Sequence, residues 1–194
     1  ENREGNGSAN STSKPKNGEI WLAGAQHNQN NNSQDAWIAR YTTGGDLIEE
    51  RIMGEASNDY VVAVEEYEGD AIYSGTTYGD FGGNANRGRM DAFAFRYDKT
   101  ALGNKWINQI ASSSSGSADW ATNIAIDKDR NIYATGNSGF GASINGQSGL
   151  GQHDGYIVKI SPNGETLWTK LIGSSGNDSL RDVIATNDNN MVFV

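Results

Sequence analysis

The chain has no cysteine and only two prolines, Pro15 and Pro162. The missing cysteines exclude a disulfide framework and any thiolate metal site, while leaving export open. Long hydrophobic runs are also missing, and no stretch approaches the roughly 20 apolar residues of a membrane-spanning helix. Basic runs are absent as well. The 15 lysines and arginines are scattered among 24 acidic residues, for a net charge of -9. Phosphate neutralisation needs clustered cations, so nucleic acid is not the expected partner. There is no G-x-S-x-G elbow, phosphate loop or dinucleotide fingerprint, and neither histidine sits in a nucleophile–base motif. What is plentiful is turn chemistry. Twenty-five glycines, with many Asn and Ser, punctuate short β-type segments, and this composition points to an all-β fold.

One register of residues recurs three times. DAWIARY begins at Asp35, DAFAFRY at Asp91 and DGYIVKI at Asp154. A turn, a second apolar stretch, a Gly/Ser stretch with an aspartate and a closing aromatic strand follow each copy. The closing strands are Ala71–Gly75, Asn131–Gly136 and Met191–Val194, and a further copy, EIWLAG, stands alone at Glu19–Gly24. A spacing of about 60 residues with four short strands per unit predicts a β-propeller of four-stranded antiparallel blades. The expected blades span about 35–75, 91–136 and 154–194, with residues 18–24 as an orphan strand. Propellers close with roughly four to eight blades. Three blades and a strand therefore predict a portion of a larger ring, in which the orphan strand completes the final blade. Residues 1–17 are polar and read as a disordered tail or tether.

The pattern DA(F/W)xx(R/K)Y, a turn, a Trp- or Leu-bearing strand, G-S-x-x-(N/A)-D and N-I-Y-x-T-G resembles the bacterial β-propeller repeat family SBBP. Its clearest copies are DAFAFRYDKT, DGYIVKISPNGETLW, GSSGND and NIYATG, and the likeness covers roughly residues 18–194. The first repeat departs from it, carrying Glu49-Glu50-Arg51 where the third has Trp168. The resemblance implies an exported or cell-surface bacterial protein whose propeller binds or scaffolds. It implies no particular chemistry. A lipid-anchored cysteine ahead of the polar tail is compatible with this placement.

Strand alternation places two aspartate series on one rim. Asp35, Asp91 and Asp154 open the first strands, and Asp59, Asp119 and Asp178 end the loops before the third strands. Converging carboxylates suit Ca²⁺, the one cofactor these residues suggest. The same aspartates also read as caps that accept loop N–H groups, repeated because the fold repeats. The long inter-blade loops on this rim carry Tyr78, Phe81, Arg87, Arg89, Phe140 and His153. Their aromatics suit sugar faces and their arginines suit carboxylates or a protein partner. Asp127-Lys128-Asp129-Arg130-Asn131 echoes a calcium loop but lacks its glycine and distal glutamate. The expected function is a non-catalytic binding or scaffold module for a surface glycan or protein partner. The alternative is part of a propeller enzyme acting on polysaccharide.

Overall fold

The computed structural model describes residues 7–194 except 31, 113–115, 187 and 189. Its described elements are all strands. In the first sheet, β1 (Gly7–Thr12), β2 (Glu19–Asn28), β3 (Ser33–Thr42) and β4 (Leu47–Met53) pair in chain order. A second sheet joins β5 (Asp59–Tyr67), β6 (Asp70–Thr77), β7 (Asp91–Asp98) and β8 (Gly103–Ile110). The third contains β9 (Trp120–Ile126), β10 (Ile132–Asn137), β11 (Gly155–Ile160) and β12 (Thr166–Ile172). A two-stranded sheet of β13 (Val183–Ala185) and β14 (Met191–Phe193) ends the series. The pairings between these strands are antiparallel. The first strands of the sheets, β1, β5, β9 and β13, neighbour one another in that order. This is the arrangement of propeller blades, and among the described residues the sheets do not close into a ring.

The phase of the blades differs from the expected one. The repeat read from Asp35 to Gly75 is split, since β3 and β4 belong to the first sheet and β5 and β6 to the second. Each blade therefore joins the last two strands of one repeat to the first two of the next. EIWLAG is accordingly no orphan. It lies in β2, between β1 and β3. The tail reading also needs correction, because Gly7–Thr12 is the inner strand of the first sheet. Its residues are nearly all exposed, so hydrophobic alternation does not betray it. The main-chain ladder to β2 holds it, together with a hydrogen bond from Asn10 Nδ2 to Val61 O (2.9 Å). The remainder of the expected tail, residues 1–6, lies outside the described residues.

The recurring motif has a packing reason. On β7, Phe93, Phe95 and Tyr97 point to the first sheet and join a buried cluster with Trp21, Ala23, Ala36 and Ile38. Ala92 and Ala94 point the other way, into a cluster with Tyr156, Val158 and Ile160 of β11. The second blade thus offers large side chains to one neighbour and small ones to the next, so that facing side chains interdigitate. A third cluster joins Ala125, Tyr133 and Ile157 to Leu180 and Val183, with Met191 and Phe193 against it. Trp21, Tyr73 and Tyr133 are buried as packing residues. Trp168 is 36% exposed on the outer strand β12 and meets Tyr133 edge-on.

Each complete blade carries the same irregularity. The register slips at Asn10 in β1, at Val62 in β5 and at Thr122 in β9, each a one-residue bulge. The bulges lie opposite Gly24, Gly75 and Gly136, where a β-carbon would collide with the carbonyl of Ser8, Tyr60 or Trp120. Glycine is required because the bulged inner strand presses on the second strand. The shared bulge shows that β1 is a true counterpart of β5 and β9, despite its polar sequence.

Candidate functional site

All the chain-crossing loops between blades meet at one rim. This follows from antiparallel order, since β2, β6 and β10 end where β5, β9 and β13 begin. Main-chain bonds tie these crossing loops to the long β6–β7 and β10–β11 loops, which were expected between blades but each join neighbouring strands of one sheet. Arg89 N donates to Ser117 O (2.7 Å), Asp119 N to Met90 O (2.8 Å) and Asp178 N to His153 O (2.7 Å). The rim is therefore a braced platform.

The two aspartate series come together there as pairs, one pair per blade crossing. Asp35 and Asp59 lean over Gly54, and Asp154 and Asp178 lean over Gly173. Asp91 and Asp119 form the pair of the middle crossing, where Ala111 takes the glycine's place. The six do not converge on one point, and no three acidic or imidazole groups cluster as metal ligands among the described residues. All but Asp178 are buried.

Loop N–H groups cap these carboxylates. Asp91 Oδ2 accepts from Arg87 N (2.7 Å), Asp119 Oδ2 from Ser112 N (2.8 Å) and Asp154 Oδ2 from Leu150 N (2.8 Å). Asp178 Oδ2 accepts from Ser174 N (2.6 Å) and Asp59 Oδ2 from Glu55 N (3.3 Å). Asp35 is bonded by Asn28 Nδ2 and Ser33 Oγ, both at 2.5 Å. Burial, with the nearby Asp35 and Glu55 charges, pushes Asp59 up to about 6. Burial and the Asp119 charge likewise raise Asp91. These are the expected effects of desolvation and like charge on an acid.

The loop side chains separate into two groups. Phe81 is not a rim residue. It is 4% exposed and stacks on Phe93 at 4.0 Å and 8°, because an apolar ring in a loop gains more from the core than from water. Tyr78, Arg87, Arg89 and Phe140 are exposed. Tyr78 stands 43% exposed and edge-on to Tyr60. Phe140 is 72% exposed and edge-on to His153, which in turn leans on Trp120 at 5.7 Å. His153 Nδ1 lies 3.0 Å from Ser138 O, so Nδ1 carries the proton and the ring orientation is set.

Tyr60 and Trp120 are the rim residues that sequence reading missed. They occupy equivalent places, directly after Asp59 and Asp119 and opposite the ends of β6 and β10. An aromatic following the loop aspartate in two of three repeats was the available signal. Two depressions lie on the first blade. One of about 240 Å³ is lined by Ser8, Gln26, Trp37, Tyr41 and Glu50. The other, about 500 Å³, is lined by Gln26, His27, Asn28, Asn30, Asp35 and Gly54.

The segment Asp127–Asn131 on the opposite rim is a hairpin turn. Burial pushes Asp127 up, but hydrogen bonds from Asn131 and the charge of Lys159 outweigh it and hold the acid below its usual value. Asn131 N donates to Asp127 Oδ1 (2.7 Å) and Lys159 Nζ lies 3.5 Å from Oδ2, so this acid is committed to the turn.

Four-stranded antiparallel blades set side by side around neighbouring inner strands define a propeller-type domain. The comparison with known families agrees, since residues 105–141 match the SBBP family, described as a beta-propeller repeat. The matched segment runs from β8 across the Asp119 junction and past β10, so it spans a blade boundary, as the repeat read from the sequence does. No match to the chain is found among curated proteins. No helix among the described residues is long and apolar enough to cross a membrane.

Proposed function

We propose that this propeller-type domain is a binding module of an exported or cell-surface protein, and that its rim captures a carboxylate-bearing surface glycan. The observation that carries this reading is the pair of aromatic contacts held open on the braced rim. One is Tyr78 against Tyr60, the other Phe140 against His153 and Trp120. Exposed rings on a rigid support suit the apolar faces of sugars, which they stack at little conformational cost. Arg87 and Arg89 stand exposed on the loop that follows Tyr78 and supply forked donors for carboxylates. On a chain of net charge -9, two exposed arginines on one loop are a local exception.

A glycan array spanning neutral and acidic polysaccharides tests the reading. Wild type is expected to retain acidic glycans, and retention should fall at least tenfold in Phe140→Ala and in the Arg87→Ala/Arg89→Ala double variant. Retention of a protein from the same cell surface, with no glycan bound, would replace the ligand class and keep the module. Unchanged retention in all rim variants would overturn the rim as the site.

A further inference from the structure

The three blade crossings pose one electrostatic problem and solve it in different ways. In each, two aspartates meet over the residue that follows an outer strand, namely Gly54, Ala111 or Gly173. In each, one fully buried carboxylate oxygen has no hydrogen-bond partner in the protein: Asp59 Oδ1, Asp91 Oδ1 and Asp154 Oδ1. A buried anionic oxygen without a partner is costly, so something must answer it.

At the middle crossing the donors serve Asp91 Oδ2 and leave Oδ1 unanswered, so what sets this crossing apart is the filled position beside the pair. Gln109 Nε2 donates to Asp91 Oδ2 at 2.7 Å, in addition to the loop N–H of Arg87. The positions equivalent to Gln109, opposite the motif aromatic, are Ile52 and Leu171 in the other blades, which donate nothing. The methyl of Ala111, itself buried, stands where the others have only hydrogen. At the first crossing both oxygens of Asp35 already hold donors, Asn28 and Ser33. Asp59 there has the affinity for a proton described above.

At the third crossing Asp154 Oδ2 likewise has two donors, but no methyl stands at the position of Ala111. The unpartnered Asp154 Oδ1 points into the space that a β-carbon on Gly173 would fill, and Asp178 Oδ2 lies 3.2 Å from the same point. Asp154 is fully buried, Asp178 is half-buried and Gly173 is exposed, so the space opens to solvent on one side. Both acids are pre-set by loop N–H bonds, Asp154 from Leu150 and Gly151, and Asp178 from Ser174 N and Oγ.

We propose that Asp154 and Asp178, above Gly173, bind a Ca²⁺ ion, and that the alanine-floored Asp91/Asp119 pair does not. Two carboxylates supply the charge, and main-chain oxygen and water complete the shell. Ca²⁺ fits better than Mg²⁺ because it accepts irregular sets of oxygen ligands, whereas Mg²⁺ demands a compact octahedron. With only two acidic ligands the affinity belongs to the weak range of extracellular modules, about 0.1–1 mM. The ion would join the long loop ending at Asp154 to the loop ending at Asp178 and brace the rim.

Calorimetric titration of CaCl₂ into the chelator-treated full chain tests this. One site is expected, with MgCl₂ at least tenfold weaker. Asp154→Asn should lose the binding, and Gly173→Ala should lose it by filling the space. Asp91→Asn should keep it. Far-UV circular dichroism checks that the variants fold, and Asp178→Asn replaces any that does not. No calcium heat up to about 10 mM, well above that range, would overturn the proposal. So would binding that survives in both Asp154→Asn and Gly173→Ala.

Discussion

Gly75 lies directly across from Phe93 in the β6–β7 register, and a β-carbon on Gly75 would come within 2.5 Å of Phe93 Cζ. The ring fills the room that the glycine leaves, and Phe81 stacks on its other side. The third blade repeats the device, with Tyr156 over Gly136. In the first blade Trp37 faces Gly24, but Trp37 is only half-buried because no sheet among the described residues covers that side.

Gly75→Ala is expected to destabilise the domain by about 1–3 kcal/mol, because the methyl must displace both the ring and the Tyr60 carbonyl. Urea unfolding followed by tryptophan fluorescence checks it. A loss below that range would mean that the bulge relaxes freely.

Phe81 and Phe140 belong to similar loops yet should behave oppositely. Phe81→Ala leaves a cavity against Phe93 and should cost about 3–5 kcal/mol. Phe140→Ala removes an exposed ring and should leave stability within about 0.5 kcal/mol. The same unfolding measurement on both variants separates a core ring from a rim ring.

Asp70 gathers several donors. Arg96 Nε and Nη2 reach its Oδ2 at 3.0 and 2.8 Å, Lys105 Nζ reaches the same atom at 3.0 Å, and Arg96 also lies over the Tyr67 ring. Asp70 is buried and Arg96 nearly so. Asp70→Ala strands that guanidinium and should cost about 3–5 kcal/mol, far above a surface ion pair. A Tm shift no larger than that of Lys16→Ala, whose pair with Glu66 includes an exposed lysine, would contradict this.

Asp59 gives stability an unusual pH slope. Its folded pKa of about 6 stands above the ordinary value of 3.8, so the folded state holds the proton more tightly than the unfolded chain. The favourable contribution is complete below pH ~4 and is lost as pH rises through ~6. In chelator, wild type should lose stability across that window relative to Asp59→Asn, whose neutral amide keeps its uncharged form. Parallel Tm-versus-pH curves for the two proteins would refute the assignment.

Much of the fold was legible in the sequence because its signals are local. Tyr156, Val158 and Ile160 alternate with Ile157 and Lys159, and Ser161-Pro162-Asn163-Gly164 forms the turn between β11 and β12. Gly164 adopts the positive φ, 87°, that such a turn uses. The rim was legible in outline, through its long loops and paired aspartates. Tyr60 and Trp120 were missed because each sits at a strand end, where aromatic residues ordinarily signal packing.

By itself the sequence determined the strands, their hairpins and their repetition, since side-chain alternation and turn chemistry act over a few residues. Tertiary structure alone decided which strands share a sheet. A repeat has no intrinsic beginning, and the β4–β5 crossing looks like any other short loop until the aspartates over Gly54 mark it as a passage between blades. It alone placed Gly7–Thr12 in a sheet, because main-chain hydrogen bonds to β2 are indifferent to the polar side chains that hid the strand. It also sent Phe81 inward and left Phe140 outside, since the fate of a loop ring depends on whether a neighbouring blade leaves room for it.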